Sequence, residues 1–199
     1  MRQESASRLP DRVKLPRSYS PMLLKDDLKL FQTDDWIDHF VKQNYDGDWS
    51  VIPLRGPATA LHPILMIYSD PSCIEFADTP FLTRARYLPE VLRSFHCSLL
   101  AARLMRLSAG SRIKEHRDLD LAAEEGTARL HIPIETNDDV AFRLNGTRVD
   151  LKAGECWYLP WAWMPPTSRK PEFGASVPQD STPHAAHWSG ERPHRGAAD

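Results

Sequence analysis

The chain has 199 residues and a net charge of −2, which is long enough for one sizeable core and short for two full domains. This charge balance gives no electrostatic case for nucleic acid or an anionic membrane, and no apolar run approaches the roughly 20 residues that cross a bilayer. The N-terminus is polar and basic without the apolar stretch of a secretory signal. The three cysteines form no metal-type pair, so we expect reduced thiols and a cytoplasmic location.

Residues 1–20 carry charge, Ser and Pro but few apolar side chains, and they are expected to form a flexible lead-in. Residues 23–41 have apolar side chains at roughly helical spacing and predict helices. Asp34 and Asp35 would cap the second of these helices. Helical structure is therefore expected at the start of the folded domain.

The middle of the chain predicts two strands and a further helix, separated by Gly/Pro turns. The strand segments are WSVIPL (49–54) and ILMIY (64–68), and the helix covers residues 87–95 with Pro89 in its first turn.

Short β-rich segments then follow one another at close intervals, and Asn145-Gly146 is typical of a tight hairpin turn. They cover residues 98–107, 112–115, 127–134, 140–144, 147–151 and 155–159. Several short strands with regular turns predict a mainly β sandwich or barrel with helices in front. Trp157 and Tyr158 are expected to pack inside it, and Cys156 to be a small buried residue.

The tail, residues 160–199, has a different composition. It holds seven prolines, no Leu, no Ile and a single Val, Val177. Such a segment predicts irregular chain rather than a sheet strand. We therefore divide the sequence into the lead-in, a folded domain at 21–159 and an atypical Pro-rich tail.

His116 and Asp118 form an H-x-D motif just after a predicted strand. Side chains two apart on a strand share one face, and an imidazole and a carboxylate there supply two ligands of a facial triad for non-haem iron. The HRDL tetrapeptide also occurs in protein kinases. However, Ala123 stands where the kinase motif has Asn, and no Gly-rich loop is present.

Four linked motifs follow one another along the chain: LMRLSAGSRIKEHRD, RLHIPIET, FRLNGTRVDL and GECWYL. In their order and spacing they resemble the aspartyl/asparaginyl β-hydroxylase family, which includes bacterial proline hydroxylases. The resemblance runs from about Trp49 to Leu159. It implies a double-stranded β-helix (a cupin-like jelly roll), here with incomplete C-terminal strands.

The resemblance implies an Fe(II)- and 2-oxoglutarate-dependent dioxygenase that uses O₂ to hydroxylate an amino-acid or peptidyl side chain of the Asp, Asn or Pro type. His116 and Asp118 match the metal ligands, and Arg129 and His131 match the residues that contact 2-oxoglutarate. A guanidinium that forks onto a carboxylate agrees with this role. Arg55 and Arg106 are further candidates for binding a substrate carboxylate, although each is more often a surface charge.

The family pattern stops at Leu159, because no His follows before His184. One alternative is that His184 or His187 is the distal metal ligand. Another is that residues 160–199 are translated out of frame, since a frame shifted by one nucleotide permits a His codon opposite Thr167. The chain could then be a non-catalytic jelly-roll binding module or an inactive enzyme without a third ligand.

Overall fold

The computed structural model describes residues 10, 12–67, 73–114, 128–137, 140, 142–144 and 147–159, together with the backbone of residues 174–181. Three α-helices are described, α1 (Pro21–Leu28), α2 (Pro63–Met66) and α3 (Leu88–Arg93). Three short 3₁₀ helices cover Thr33–Asp35, Lys42–Asn44 and Leu82–Arg84. None of the described helices is long and apolar enough to cross a membrane.

Twelve strands are described, and every pairing between them that the structure describes is antiparallel. They are β1 (Val13–Ser18), β2 (Ile37–Asp38), β3 (Tyr45–Asp46), β4 (Trp49–Pro57), β5 (Phe76–Asp78), β6 (Leu99–Leu107), β7 (Arg112–Ile113), β8 (Ala128–Pro133), β9 (Phe142–Leu144), β10 (Thr147–Val149), β11 (Glu155–Tyr158) and β12 (Gly174–Ser181).

One large sheet organises the molecule, with strand order β1-β11-β8-β12-β6-β4-β2 and with β5 added beside β4. The pairs β9–β10 and β3–β7 form two separate two-stranded ribbons. The predicted mainly β class with an N-terminal helix is confirmed. The described strands form open sheets and not a closed barrel.

The main core lies on the face of the large sheet that packs against α1 and α3, which we call the helix face. Alternate residues of the central strands enter it, as the period of two requires. Its buried members include Ile52, Leu54, Ala102, Leu104, Leu130, Ile132, Cys156 and Tyr158 from strands and Leu24, Leu88, Val91 and Leu92 from helices.

Asp27 connects the two helices on this face. It is 2% exposed, and its carboxylate accepts hydrogen bonds from the backbone N–H groups of Arg86, Tyr87 and Leu88 at 2.6–2.9 Å. An acid that accepts N–H groups at the start of α3 satisfies donors that have no partner within the helix. Asp27 therefore fixes α1 against α3 through the chain segment before α3.

The opposite face of the sheet, which we call the ribbon face, has two smaller apolar clusters. Ribbon β9–β10 contributes Phe142, Leu144 and Val149, which pack with Leu159 and Trp157. The other cluster joins ribbon β3–β7 to the sheet and contains Tyr45, Trp49 and Ile113 with Met105 and Leu107. The helices therefore pack against one face of the sheet. The two ribbons pack against the opposite face, one near each end of the sheet.

The lead-in prediction for residues 1–20 is wrong over Val13–Ser18. These residues form β1, which pairs with β11, and their exposure alternates along the strand. Tyr19 then donates its backbone N–H to the carbonyl of Gly154 at 2.8 Å. The segment has few apolar residues because an edge strand needs them on one face only.

Two local predictions in the first half are also wrong. Residues 64–68 were expected as a strand, but Pro63 stands in the first turn of α2 and Nδ1 of His62 accepts the Ile64 N–H at 3.2 Å. The second predicted helix is replaced by β2, which pairs with β4. In both places a local cap or a distant strand determines the structure more strongly than spacing does.

The tail also contains a strand, contrary to the expectation of irregular chain. Strand β12 lies between β6 and β8 and pairs with both. The prolines of the tail do not prevent this, because only Pro178 falls within the eight residues of β12. The rest of the tail lies outside the described residues.

Candidate functional site

Arg129 and His131 lie on the ribbon face at the centre of the sheet. They alternate along β8 with Leu130 and Ile132, which enter the core on the helix face. His131 is 7% exposed and its Nε2 atom is fully buried, whereas Arg129 is half-buried. A guanidinium and an imidazole on one strand face are a donor set that suits a carboxylate.

Trp157 flanks His131 on the neighbouring strand, where the two residues are paired in register. Its indole Nε1 donates to Oε2 of Glu155 at 2.9 Å, and the same carboxylate accepts from Lys14 and from the backbone of Lys152. Burial acts to raise the pKa of Glu155, but these hydrogen bonds together hold that pKa below its ordinary value. A charged, fully engaged Glu155 therefore fixes the indole beside His131.

Phe142 approaches His131 from the β9–β10 ribbon. The ring centroids are 6.3 Å apart and the planes are tilted by 59°. His131 thus lies among Trp157, Phe142 and the sheet backbone, an environment that restricts the imidazole to few orientations.

Arg103 is a buried cation on this face that the sequence patterns did not single out. It is 8% exposed, and its neighbours Ala102 and Leu104 both enter the helix-face core. Arg103 lies on the same face of β6 as Met105 and Leu107, which contact the β3–β7 ribbon. The sequence did contain a signal for this placement. Side chains alternate between the two faces of a strand, so Arg103 and Arg106 in the ARLMRL segment must lie on opposite faces.

Arg106 and Arg55, the two arginines considered from the sequence, lie on the helix face. Arg106 stands 4.2 Å over the Trp36 ring and donates to Ser50 Oγ at 3.1 Å, and burial lowers its pKa. Arg55 donates to Asp78 and to the carbonyls of Phe76 and Leu99. Both guanidinium groups therefore hold local structure on the side away from Arg129 and His131.

The predicted metal ligands His116 and Asp118 lie outside the described residues, as do His184 and His187. Within the described part of the chain, no three His, Cys, Asp or Glu side chains are grouped so as to hold a metal ion. Lys114 is the last described residue before His116. It is held to the β3–β7 ribbon by its N–H to the Asn44 carbonyl at 2.7 Å and by an ion pair with Asp46 at 2.8 Å.

Two other features are separate from the ribbon-face residues. Cys156 enters the helix-face core, and burial raises the pKa of its thiol to about 12, so it is an inert packing residue.

A cavity of about 700 Å³ lies between α3 and the segments that contain β5 and the start of β6, and it is lined in part by Arg55, Asp78 and Arg93. Arg103, Arg129 and His131 do not line that cavity.

These features define an antiparallel β protein with a cationic, His-containing centre on one sheet face. The family model for aspartyl/asparaginyl beta-hydroxylase matches residues 22–163, so the chain belongs to that family. The match extends over α1, the central strands and the Glu155–Trp157 pair, and it places the chain among the hydroxylases.

A solved structure that resembles the chain is a viral collagen prolyl hydroxylase from Paramecium Bursaria Chlorella virus-1, crystallised as a 2OG complex. The TM-score is 0.49 and the sequence identity is 10%, with 86% of this chain and 96% of that chain covered. No curated protein matches the chain by sequence.

Proposed function

We propose that the protein is an Fe(II)- and 2-oxoglutarate-dependent dioxygenase that hydroxylates an amino-acid or peptidyl side chain. Family membership supports the hydroxylase class. The observation that carries the proposal is the placement of Arg129 with the buried His131 on one face of β8. The overall reaction would convert a C–H bond, 2-oxoglutarate and O₂ into an alcohol, succinate and CO₂.

In this proposal Arg129 and His131 bind the keto acid. The planar guanidinium of Arg129 binds a carboxylate in bidentate fashion, and His131 adds a donor at a depth where water is excluded. Trp157, oriented by Glu155, and Phe142 hold the imidazole in place. Preorganised donors of this kind lose little entropy when the ligand arrives.

His116 and Asp118 would hold the iron. An imidazole and a carboxylate suit Fe(II), which would supply redox chemistry with O₂ and a Lewis acid for the keto acid. The chain reaches these residues from Lys114, which is anchored to the β3–β7 ribbon. The third ligand is proposed from the tail, at His184 or His187.

Succinate formation with added Fe(II) and 2-oxoglutarate tests the proposal. We expect turnover in the wild type, its loss in His116→Ala and its retention in His96→Ala, because His96 is exposed and lies outside the predicted site. Mn(II) binding measured by calorimetry should follow the same pattern. Equal turnover or equal metal binding in the two variants would contradict the assignment.

A second candidate is a non-catalytic binding module, favoured by the absence of any His between Leu159 and His184. This candidate predicts a folded wild-type sample that binds 2-oxoglutarate without forming succinate under any of these conditions. Substitution of both His184 and His187 by Ala separates the two candidates further. Loss of turnover in that variant supports the distal-ligand assignment, and unchanged turnover opposes it.

A further inference from the structure

The cavity beside α3 lies on the helix face of the sheet, and the proposed reaction does not use it. Its volume of about 700 Å³ falls in the range of roughly 300–1,000 Å³ that small-molecule sites have. The apolar side chains that line it are Ala58, Ile74, Phe76, Leu82, Pro89, Leu92, Phe95, Leu99 and Leu100. An apolar wall of this extent with a few charged groups is typical of a ligand site.

The apolar wall continues from the core out to the surface. Leu82, Leu92 and Phe95 are at most 9% exposed and belong to the helix-face core, whereas Ile74 lines the same cavity and is 79% exposed. An apolar side chain in water gains free energy when an apolar group covers it. The cavity therefore favours a ligand that carries an apolar part.

Arg55 and Asp78 give the cavity a fixed wall. Arg55 donates from Nη1 to Oδ1 of Asp78 at 2.6 Å, from Nε to the Leu99 carbonyl at 2.9 Å and from Nη2 to the Phe76 carbonyl at 2.7 Å. These contacts join the segments of β5 and β6 that border the cavity. The two charges neutralise each other, so this pair leaves no net charge for a ligand.

Arg93 and Glu75 are the other two charged residues that line the cavity. Arg93 ends α3, and Glu75 lies just before β5, so a cation and an anion come from different sides of the cavity. Both are exposed, and within the described part of the chain neither side chain has a hydrogen bond or an ion pair. A guanidinium suits a carboxylate, and a carboxylate suits an ammonium group.

We infer that this cavity binds a small zwitterion with an apolar side chain, with Arg93 on its carboxylate and Glu75 on its ammonium group. This chemistry has two sources, a free amino acid and a short peptide with both termini free. The inference does not depend on the proposed function, because Arg129 and His131 do not line the cavity and binding there needs neither iron nor the keto acid.

Calorimetry on the full chain tests the ligand class. The probes are leucine and dileucine, the amide and the N-acetyl derivative of each, and glycine. We expect one of the two zwitterions to bind at least about tenfold more tightly than its amide, which lacks the carboxylate, and than its N-acetyl derivative, which lacks the ammonium group. Glycine should also bind more weakly, since it has no apolar side chain. Tighter binding of leucine identifies a free amino acid, and tighter binding of dileucine identifies a short peptide.

Two substitutions remove the charges at exposed positions. We expect Arg93→Gln and Glu75→Gln each to weaken binding of the zwitterion about tenfold or more. The matched controls are Arg86→Gln and Glu90→Gln, which change exposed residues beside α3 and on it that do not line the cavity. Both controls should bind as the wild type does.

Two further variants locate the ligand. Ala58 is exposed and lines the cavity, so Ala58→Trp should fill the space and abolish binding while every charge stays in place. Arg129→Lys changes the proposed keto-acid site on the other face of the sheet and should leave binding of the zwitterion unchanged.

Several outcomes overturn the inference. They are no binding of either zwitterion, equal binding of a zwitterion and its single-charge derivatives, the same loss in Arg86→Gln as in Arg93→Gln, and unchanged binding in Ala58→Trp. Loss of binding in Arg129→Lys also overturns it, because the ligand then lies in the keto-acid site. Succinate formation is not part of this experiment, so the proposed function stands or fails separately.

Discussion

Arg129 differs from the other described arginines of the sheet because it lies on the same strand as the buried His131, two residues away and on the same face. Lysine keeps the positive charge but cannot form the planar, two-pronged contact with a carboxylate. We predict that Arg129→Lys raises the KM of the keto acid about tenfold or more, as expected for loss of a charge-assisted bidentate contact.

Arg148 provides the control for this prediction. It lies on β10, is exposed, and pairs with Asp150 on its own ribbon at 2.9 Å. Arg148→Lys should leave the KM of the keto acid unchanged when both variants are assayed by succinate formation. If the two variants behave alike, Arg129 does not bind the keto acid.

Glu155 supports His131 indirectly, through the indole of Trp157, and its ionisation should make stability depend on pH. Its pKa in the folded protein is below the ordinary value of 4.5, so its contribution is present above that value and is lost as the pH falls through the lowered pKa. We predict that Glu155→Gln lowers the free energy of unfolding at pH 7 and that the difference shrinks as the pH is lowered below 4.5.

Urea unfolding at several pH values measures this, with Glu75→Gln as a control at an exposed position. The control should show little difference at any pH. The free energy of unfolding that Glu155→Gln loses could instead stay constant as the pH is lowered. In that case the charge of Glu155 is not what stabilises the Lys14–Glu155–Trp157 contact.

At the scale of elements, the turn before β11 sets the position of the whole site. Gly154 has φ of +81°, donates its N–H to the Pro133 carbonyl and accepts from Tyr19, so it joins the end of β8 to the segment before α1. A Cβ there would stand 2.3 Å from the carbonyl oxygen of Tyr19. The glycine in GECWYL is therefore required by both backbone conformation and space.

Gly110 allows these two requirements to be separated. Its φ is +75°, but a Cβ there would meet nothing within 4 Å. We predict that Gly110→Ala costs only the left-handed backbone penalty of about 1–3 kcal/mol. Gly154→Ala should cost clearly more, because the clash with Tyr19 adds to the same penalty. Equal losses in urea unfolding would show that the turn relaxes around the added methyl group.

Sequence patterns predicted the elements whose structure depends on local alternation. Strands β6, β8, β9, β10 and β11 all fall within predicted segments, because one side of each packs on a core. The patterns failed where a contact came from a distant segment, as for β1 against β11 and β2 against β4. Arg129 and His131 were proposed from a motif, and their role stays a prediction, whereas the burial of Arg103 on the ribbon face became visible only in the sheet.

At the scale of the whole molecule, β12 determines whether the large sheet is continuous. It is the only described strand that pairs with both β6 and β8, so it connects the half that carries Arg103 to the half that carries Arg129 and His131. Without it, two strands at the centre of the sheet would have unsatisfied backbone groups along one edge. The composition of the tail gave no sign of this role, because pairing with two strands depends on backbone hydrogen bonds and not on apolar side chains.

Truncation tests the role of β12 directly. A chain that ends after residue 173 loses β12, and we predict that it shows no cooperative unfolding transition, since the lost pairing on two sides is comparable with the roughly 5–15 kcal/mol that stabilises a typical domain. A chain that ends after residue 181 keeps β12 and should unfold cooperatively, although it lacks His184 and His187. It should therefore fold without forming succinate if either histidine is the third iron ligand. If the shorter chain unfolds with the same midpoint as the longer one, the sheet closes without β12, and the pairing of residues 174–181 contributes nothing to the fold.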